Sequence, residues 1–199
     1  MIKIGIIGLG NMGSTHLRVL SILKNVHVSF IYDKNFNLMK SFAKKYNYNF
    51  THNINNELNK IDALIISSPT NTHYKYLKMS LGKVKNIFVE KPLTNYLDQT
   101  NEIFKLVKKF KTNIQIGMIE RFNPVFETVK NIIKNEKKPI ICKFNRSSNL
   151  SDRIKDTDVV YDLMIHDIDL ALNFNGQVKK IVSIGKKINN MIKYVHSKF

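Results

Sequence analysis

Residues 162–169 read DLMIHDID, three carboxylates and a histidine set in a run that is otherwise Leu, Met and Ile and continues as LALNF. A charge buried without a partner is expensive, so ionisable groups in such a run need partners or a use. On a helix, Asp162 and His166 stand at i and i+4 and project from one face within reach of each other. A carboxylate so placed fixes the tautomer of an imidazole and raises its basicity. The run by itself leaves three uses open: a metal site, an oriented general base, or a histidine satisfied within a core. A metal needs more ligands than the run offers.

A second group of residues lies near the start. GLGNMG at 8–13 has the form G-x-G-x-x-G, with Gly8, Gly10 and Gly13 around Asn11 and Met12. The first glycine permits a tight turn, the second lets a pyrophosphate approach the backbone, and the third lets a helix pack against the preceding strand. Asp33 follows Gly13 by twenty residues and ends the next apolar run. A carboxylate there accepts from the ribose hydroxyls of NAD and repels the extra phosphate of NADP, although the neighbouring Lys34 leaves NADP some room. SSPTNTH at 67–73 and EKP at 90–92 also close apolar runs, which brings Ser68, Pro69, Thr70, Glu90 and Lys91 to the edge where such sheets bind ligands. The ammonium of Lys91 can stabilise a developing alkoxide or pass a proton onward. His73 opens a helix, either as a cap-region residue or lining the cofactor cleft.

The elements that must position these residues alternate. IKIGIIG, VHVSFIYD, DALIISS, NIFVE and TNIQIGM read as strands, and the segments between them carry helical spacing. That rhythm predicts an α/β fold, a Rossmann-type doubly wound parallel sheet with helices on both faces, over residues 1–120. Beyond it FNPVFETVKNIIKN reads as a helix, PIICKFNRSS as a strand, VVYDLMIHDIDLALNF as a helix after a polar loop, and KKIVSIGKKI as a strand. Two strands are too few for a stable sheet, and NNMIKYVHSKF supplies no more on this reading. Residues 121–199 are therefore expected to form a truncated α+β domain.

Bulk composition excludes other classes. The single cysteine, Cys142, rules out a disulfide framework. No secretory signal pattern and no membrane-spanning apolar stretch appear, so a soluble, cytoplasmic protein is expected. The net charge of +17 comes from 28 lysines and four arginines spread along the chain. Readers of bases and phosphates favour the arginine fork, so nucleic acid is not the expected partner, whereas an anionic small molecule suits the charge.

With these motifs in hand, the chain resembles the glucose-fructose oxidoreductase and inositol dehydrogenase family of NAD(P)-dependent sugar oxidoreductases. GLGNMG, SSPTNTH, EKPLT, GMIERFNP and DLMIHDIDLAL occur in the family's order and spacing along essentially the whole chain. The resemblance implies Lys91, Asp162 and His166 as the catalytic group, with His166 the base, Asp162 its orienting partner and Lys91 the cation at the reacting oxygen. IERFNP at 119–124 and the stretch from 152 are similar to UDP-N-acetylglucosamine 3-dehydrogenases. That implies oxidation at C3 of a UDP-linked amino sugar, with Arg121, Asn123, Arg153 and His166 toward the substrate. Family members are much longer and often assemble through the sheet of their second domain, so a homo-oligomer stays open, as does a non-catalytic, dinucleotide-binding relative.

Overall fold

Branched apolar residues fill the first strand, β1 (Ile2–Ile7), whose last four residues are all buried, the pattern of a strand covered on both faces. The computed structural model of the chain describes residues 1–134, 136, 141–147, 158–188 and 190–199. These residues fall into two compact units, Met1–Gly117 and Met118–Phe199.

In the first unit β2 (Val26–Tyr32), β3 (Ala63–Ile66), β4 (Asn86–Val89) and β5 (Asn113–Ile116) join β1 in one sheet of order β2-β1-β3-β4-β5. Every pairing is parallel. Helices α1 (Asn11–Leu20), α2 (Phe36–Tyr46), α3 (His73–Ser80) and α4 (Leu97–Phe110) lie in the crossovers. Outside β2, Phe50 forms a parallel bridge with Ile31, and the Ile31 amide donates to Asn49 O at 2.9 Å. That rudimentary edge strand completes the order of a doubly wound dinucleotide fold, whose direction of winding reverses between β1 and β3.

Each face of the sheet carries its own apolar core. Leu64, Ile66, Leu77, Ile87, Val89 and Ile103 build one, while Ile4, Ile6, Leu17, Val28, Ile31 and Met39 build the other. Helix ends follow local chemistry: Asn35 caps α2 by accepting from the Leu38 amide at 3.1 Å. Asn47 and Lys111 close α2 and α4 in the left-handed region, with φ of 55° and 52°.

The second unit holds α5 (Pro124–Lys134), a π-helical turn at Val160–Met164 running into α6 (Ile165–Asn175), and a hairpin of β6 (Val182–Ile188) and β7 (Met191–Lys198). Phe126 of α5 packs on Phe174 of α6 with ring centroids 4.6 Å apart.

Two expectations change here. Residues 141–147, the described part of the apolar run read as a strand, carry no regular structure, and Ile141 is 95% exposed. Propensity alone does not make a strand without a neighbour to pair with. The terminal NNMIKYVHSKF does supply one: Met191–Lys198 pairs antiparallel with β6 around Asn190, which takes φ of 61°. Asparagine tolerates that conformation in a turn, and alternation in IKYVHSK masks the apolar content of a half-exposed strand.

Replacing Leu64, fully buried in central β3, by Ala is expected to cost about 2–5 kcal/mol. Urea unfolding checks this, and a loss below about 1 kcal/mol would place the core elsewhere.

Candidate functional site

At the carboxyl end of β1 the chain turns sharply at Gly8, whose φ of +95° is closed to most side chains. Gly13 then lets α1 sit against that turn, since a Cβ there would stand 1.9 Å from Gly8 O. Gly10 differs from both. A Cβ built on it meets nothing within 4 Å, although its backbone is an ordinary extended N-cap with φ of −65°. The protein's own packing therefore does not require a glycine at 10, whereas a phosphate lying on the backbone does. This open cradle at the start of α1 fits a dinucleotide.

Asp33 stands beside the turn. Its Oδ2 accepts from the Leu9 amide at 2.8 Å and its Oδ1 from the Asn35 amide at 2.9 Å. Each carboxylate oxygen keeps a further lone pair, so Asp33 both ties β2 to the glycine turn and can accept from a ribose. Asn11 and Met12 are exposed at the first turn of α1.

The second strand end is tied to the first. Ser67 Oγ donates to Gly8 O at 2.9 Å, and Thr72 Oγ1 to Pro69 O at 2.6 Å. Ser68 is half-buried there, paired through its hydroxyl with Thr72 at 2.7 Å, and Thr70 opens the turn that leads into α3. His73 is 1% exposed, with Nδ1 2.8 Å from Pro92 O and Nε2 2.8 Å from Ser68 O. It opens α3, as expected, and also joins the loops that follow β3 and β4, a tie hidden from the sequence because backbone carbonyls are invisible to a reading of residue types. Glu90 is 8% exposed and pairs with His16, and Lys91 is half-buried at the end of β4.

In the second unit, DLMIHDID straddles the change from π to α winding, a distortion frequent at functional sites. Asp158 caps its start, accepting through Oδ1 from the Val160 and Tyr161 amides at 3.0 and 3.2 Å. Asp162 lies in the π turn and is half-buried, and His166 is buried one turn on, in α6. Arg121 grips Asp169 with its fork, Nε to Oδ2 at 2.7 Å and Nη2 to Oδ1 at 2.5 Å. Arg146 bridges Asp167 at 3.0 Å and Glu120 at 3.2 Å. Asn123 caps α5 by accepting from the Val125 amide at 3.0 Å, and donates to Glu120 at 3.1 Å.

These ties hold the Glu120 carboxyl below the usual carboxylate range. The Asn123 bond contributes most and Arg146 next, against an opposing effect of burial, with a smaller share from His166. Arg121 and Asn123, expected toward a substrate, thus have structural partners, and Arg153 lies outside the described residues. His16, Glu120 and Arg146 went unnoticed in the sequence. The available signal was a histidine among the apolar positions of α1, which needs a polar partner.

A family model described as an oxidoreductase family with an NAD-binding Rossmann fold, GFO_IDH_MocA, matches residues 2–118. An uncharacterized oxidoreductase of Bacillus subtilis is 29% identical over 196 residues, covering 94% of this chain and 58% of that protein. A UDP-N-acetylglucosamine 3-dehydrogenase of Acidithiobacillus ferrooxidans is 24% identical over 174 residues, 87% of this chain and 54% of the relative. The solved structure of the UDP-N-acetylglucosamine 3-dehydrogenase from Acidithiobacillus ferrooxidans superposes with a TM-score of 0.83 at 21% identity, over 98% of this chain and 64% of that one. The chain thus spans a little over half the length of these curated relatives.

Two outcomes follow from the geometry. Gly10→Ala should keep unfolding stability within about 0.5 kcal/mol yet weaken NADH binding by about tenfold or more, ~1.4 kcal/mol. Gly13→Ala should instead lose about 1–3 kcal/mol of stability by overpacking. Fluorescence titration beside thermal unfolding separates the two, and unchanged NADH affinity in Gly10→Ala would remove the cradle. For Glu120, a lowered folded pKa means a contribution present above the unfolded value of about 4.3 and lost as pH falls through the lower folded value. The stability gap between the wild type and Glu120→Gln should therefore narrow on acidification through that range, and a gap constant with pH would contradict the ties.

Proposed function

We propose, from the premise that the chain belongs to the Gfo/Idh/MocA oxidoreductase family with its NAD-binding Rossmann fold, that it carries out hydride transfer between a sugar secondary hydroxyl and NAD. The observation that carries this is the open backbone at Gly10 near Asp33, a cradle that none of the described residues fills. The finer reading is C3 of a UDP-linked N-acetylamino sugar. It is supported by likeness to a UDP-N-acetylglucosamine 3-dehydrogenase and by a strongly basic chain that suits a diphosphate substrate. Asp33 favours NAD over NADP by repelling a ribose phosphate. Residues 1–120 would be the cofactor-binding domain and 121–199 part of the substrate domain, and a single cysteine suits a cytoplasmic setting.

When bound, NAD supplies the acceptor for the hydride that leaves the carbinol carbon. The hydroxyl proton must go to a base, and the developing alkoxide needs a cation until it becomes a carbonyl. His166 takes the proton role, Asp162 sets its ring, and Lys91 donates to the oxygen. Support for these three comes from the family motifs and from the local setting of His166, buried next to the π turn that carries Asp162. Arg121, Asn123 and Arg153 remain candidates to face the sugar or its phosphates, the first two in addition to their structural ties.

The test is the rise of reduced-nicotinamide absorbance when the chain meets NAD and UDP-N-acetylglucosamine. Reduced cofactor is expected, and His166→Ala should cut turnover by about a hundredfold to ten-thousandfold while NADH still binds. Turnover surviving that change would remove His166 as the base. Binding of NADH without any turnover would leave the dinucleotide-binding, non-catalytic reading.

A further inference from the structure

The turn at Glu90, Lys91 and Pro92 is held from two sides by histidines. From α1, His16 Nε2 lies 2.8 Å from Glu90 Oε1, and the His16 ring meets Phe88 edge to face with centroids 5.1 Å apart. The carboxyl group has little other freedom. Glu90 is 8% exposed, and its second oxygen lies against Gly117, where a Cβ would stand 2.9 Å from Oε2. A buried carboxylate with one charged or polar partner takes the orientation that partner gives it.

From α3, His73 reaches Pro92 O and Ser68 O, each at 2.8 Å. Both carbonyls can only accept, so the ring must donate to them: a neutral ring to one at a time, a doubly protonated ring to both. Either way the ring spans the loops that end β3 and β4. The Glu90 amide adds a third hold by donating to Ile66 O at 2.9 Å. Residues 90 and 92 are thus anchored to different elements, with Lys91 between them.

We propose that His16 and His73 are positioning residues that together set the backbone of Lys91, and so the direction in which its ammonium is presented. The proposal rests on the reading of Lys91 as the cation at the reacting oxygen. A space-filling role for the two rings would be met equally well by phenylalanine. A positioning role would not, because the ring nitrogens make the ties.

The experiment compares His16→Phe and His73→Phe with His16→Gln and His73→Gln in the 199-residue chain. Each is measured for backbone hydrogen exchange in the peptide over residues 88–95, with residues 63–66 as internal control, and for kcat and the KM of NAD. The Phe variants should exchange faster at the turn with β3 unchanged, and lose about tenfold to a hundredfold in kcat at unchanged KM. The Gln variants, which keep a donor, should recover most of both. Exchange decides the clamp with or without turnover: wild-type exchange at the turn in the Phe variants would overturn it. Lys91→Met judges the premise separately, since turnover surviving it would sink the role of Lys91 whatever the exchange shows.

Discussion

The carboxyl edge of the sheet depends on one close approach, that of α1 to the turn after β1. With a Cβ at residue 13 only 1.9 Å from Gly8 O, no side chain fits between helix and turn, and the helix is drawn in to the thickness of the backbone. The approach points the first amides of α1, with their partial positive charge, at the open space over Gly10. It also places the Gly8 carbonyl where Ser67 Oγ donates to it, locking the end of β3 to the end of β1. One turn further along α1, His16 arrives beside Glu90 at the end of β4. A single backbone contact thus registers three strand ends against one helix.

The second unit is organised by charge. Of the four ionisable groups in DLMIHDID, Asp167 and Asp169 are held by Arg146 and Arg121, from the segments that precede α6 in the chain. Their job is to fix the helix, and the cost of half-burying them is offset by charge-assisted, forked hydrogen bonds. Asp162 and His166 are the two that the family motif assigns to chemistry. They sit on and just after the π turn, where the winding changes and an extra residue is accommodated. The pair that the motif assigns to chemistry thus precedes the arginine-held pair by less than two turns, and residue types alone do not sort them.

The parallel sheet was legible because its strands are short runs rich in Ile, Val and Leu, each ended by glycine, aspartate, serine or glutamate, with amphipathic helices between. The glycine roles were legible too, being set by local backbone geometry. What escaped depended on pairings and partners that residue types do not display. Strand β6 was legible but its partner β7 hides in an alternating terminus, whereas the run at 141–147 has strand-like residues and no regular structure. The π turn leaves no mark in residue types. The ties of His73 went unread, since nothing in the sequence shows that Ser68 and Pro92 present their carbonyls to it. The cap that Asn123 places on α5 went unread because a helix cap and a ligand contact use the same side-chain chemistry.

The arginines carry a related lesson. A chain with 28 lysines and four arginines mostly uses lysine where a solvated positive charge suffices. Lys78 on Glu102 and Lys60 on Glu57 are such surface pairs, and each is served by a single ammonium. Arg121 and Arg146 stand elsewhere, at positions where one side chain must meet two carboxylate oxygens, or two carboxylates, in a fixed plane. An ammonium cannot reproduce that geometry. At Arg121 and Arg146 direction matters as much as charge, and both converge on the helix that carries His166.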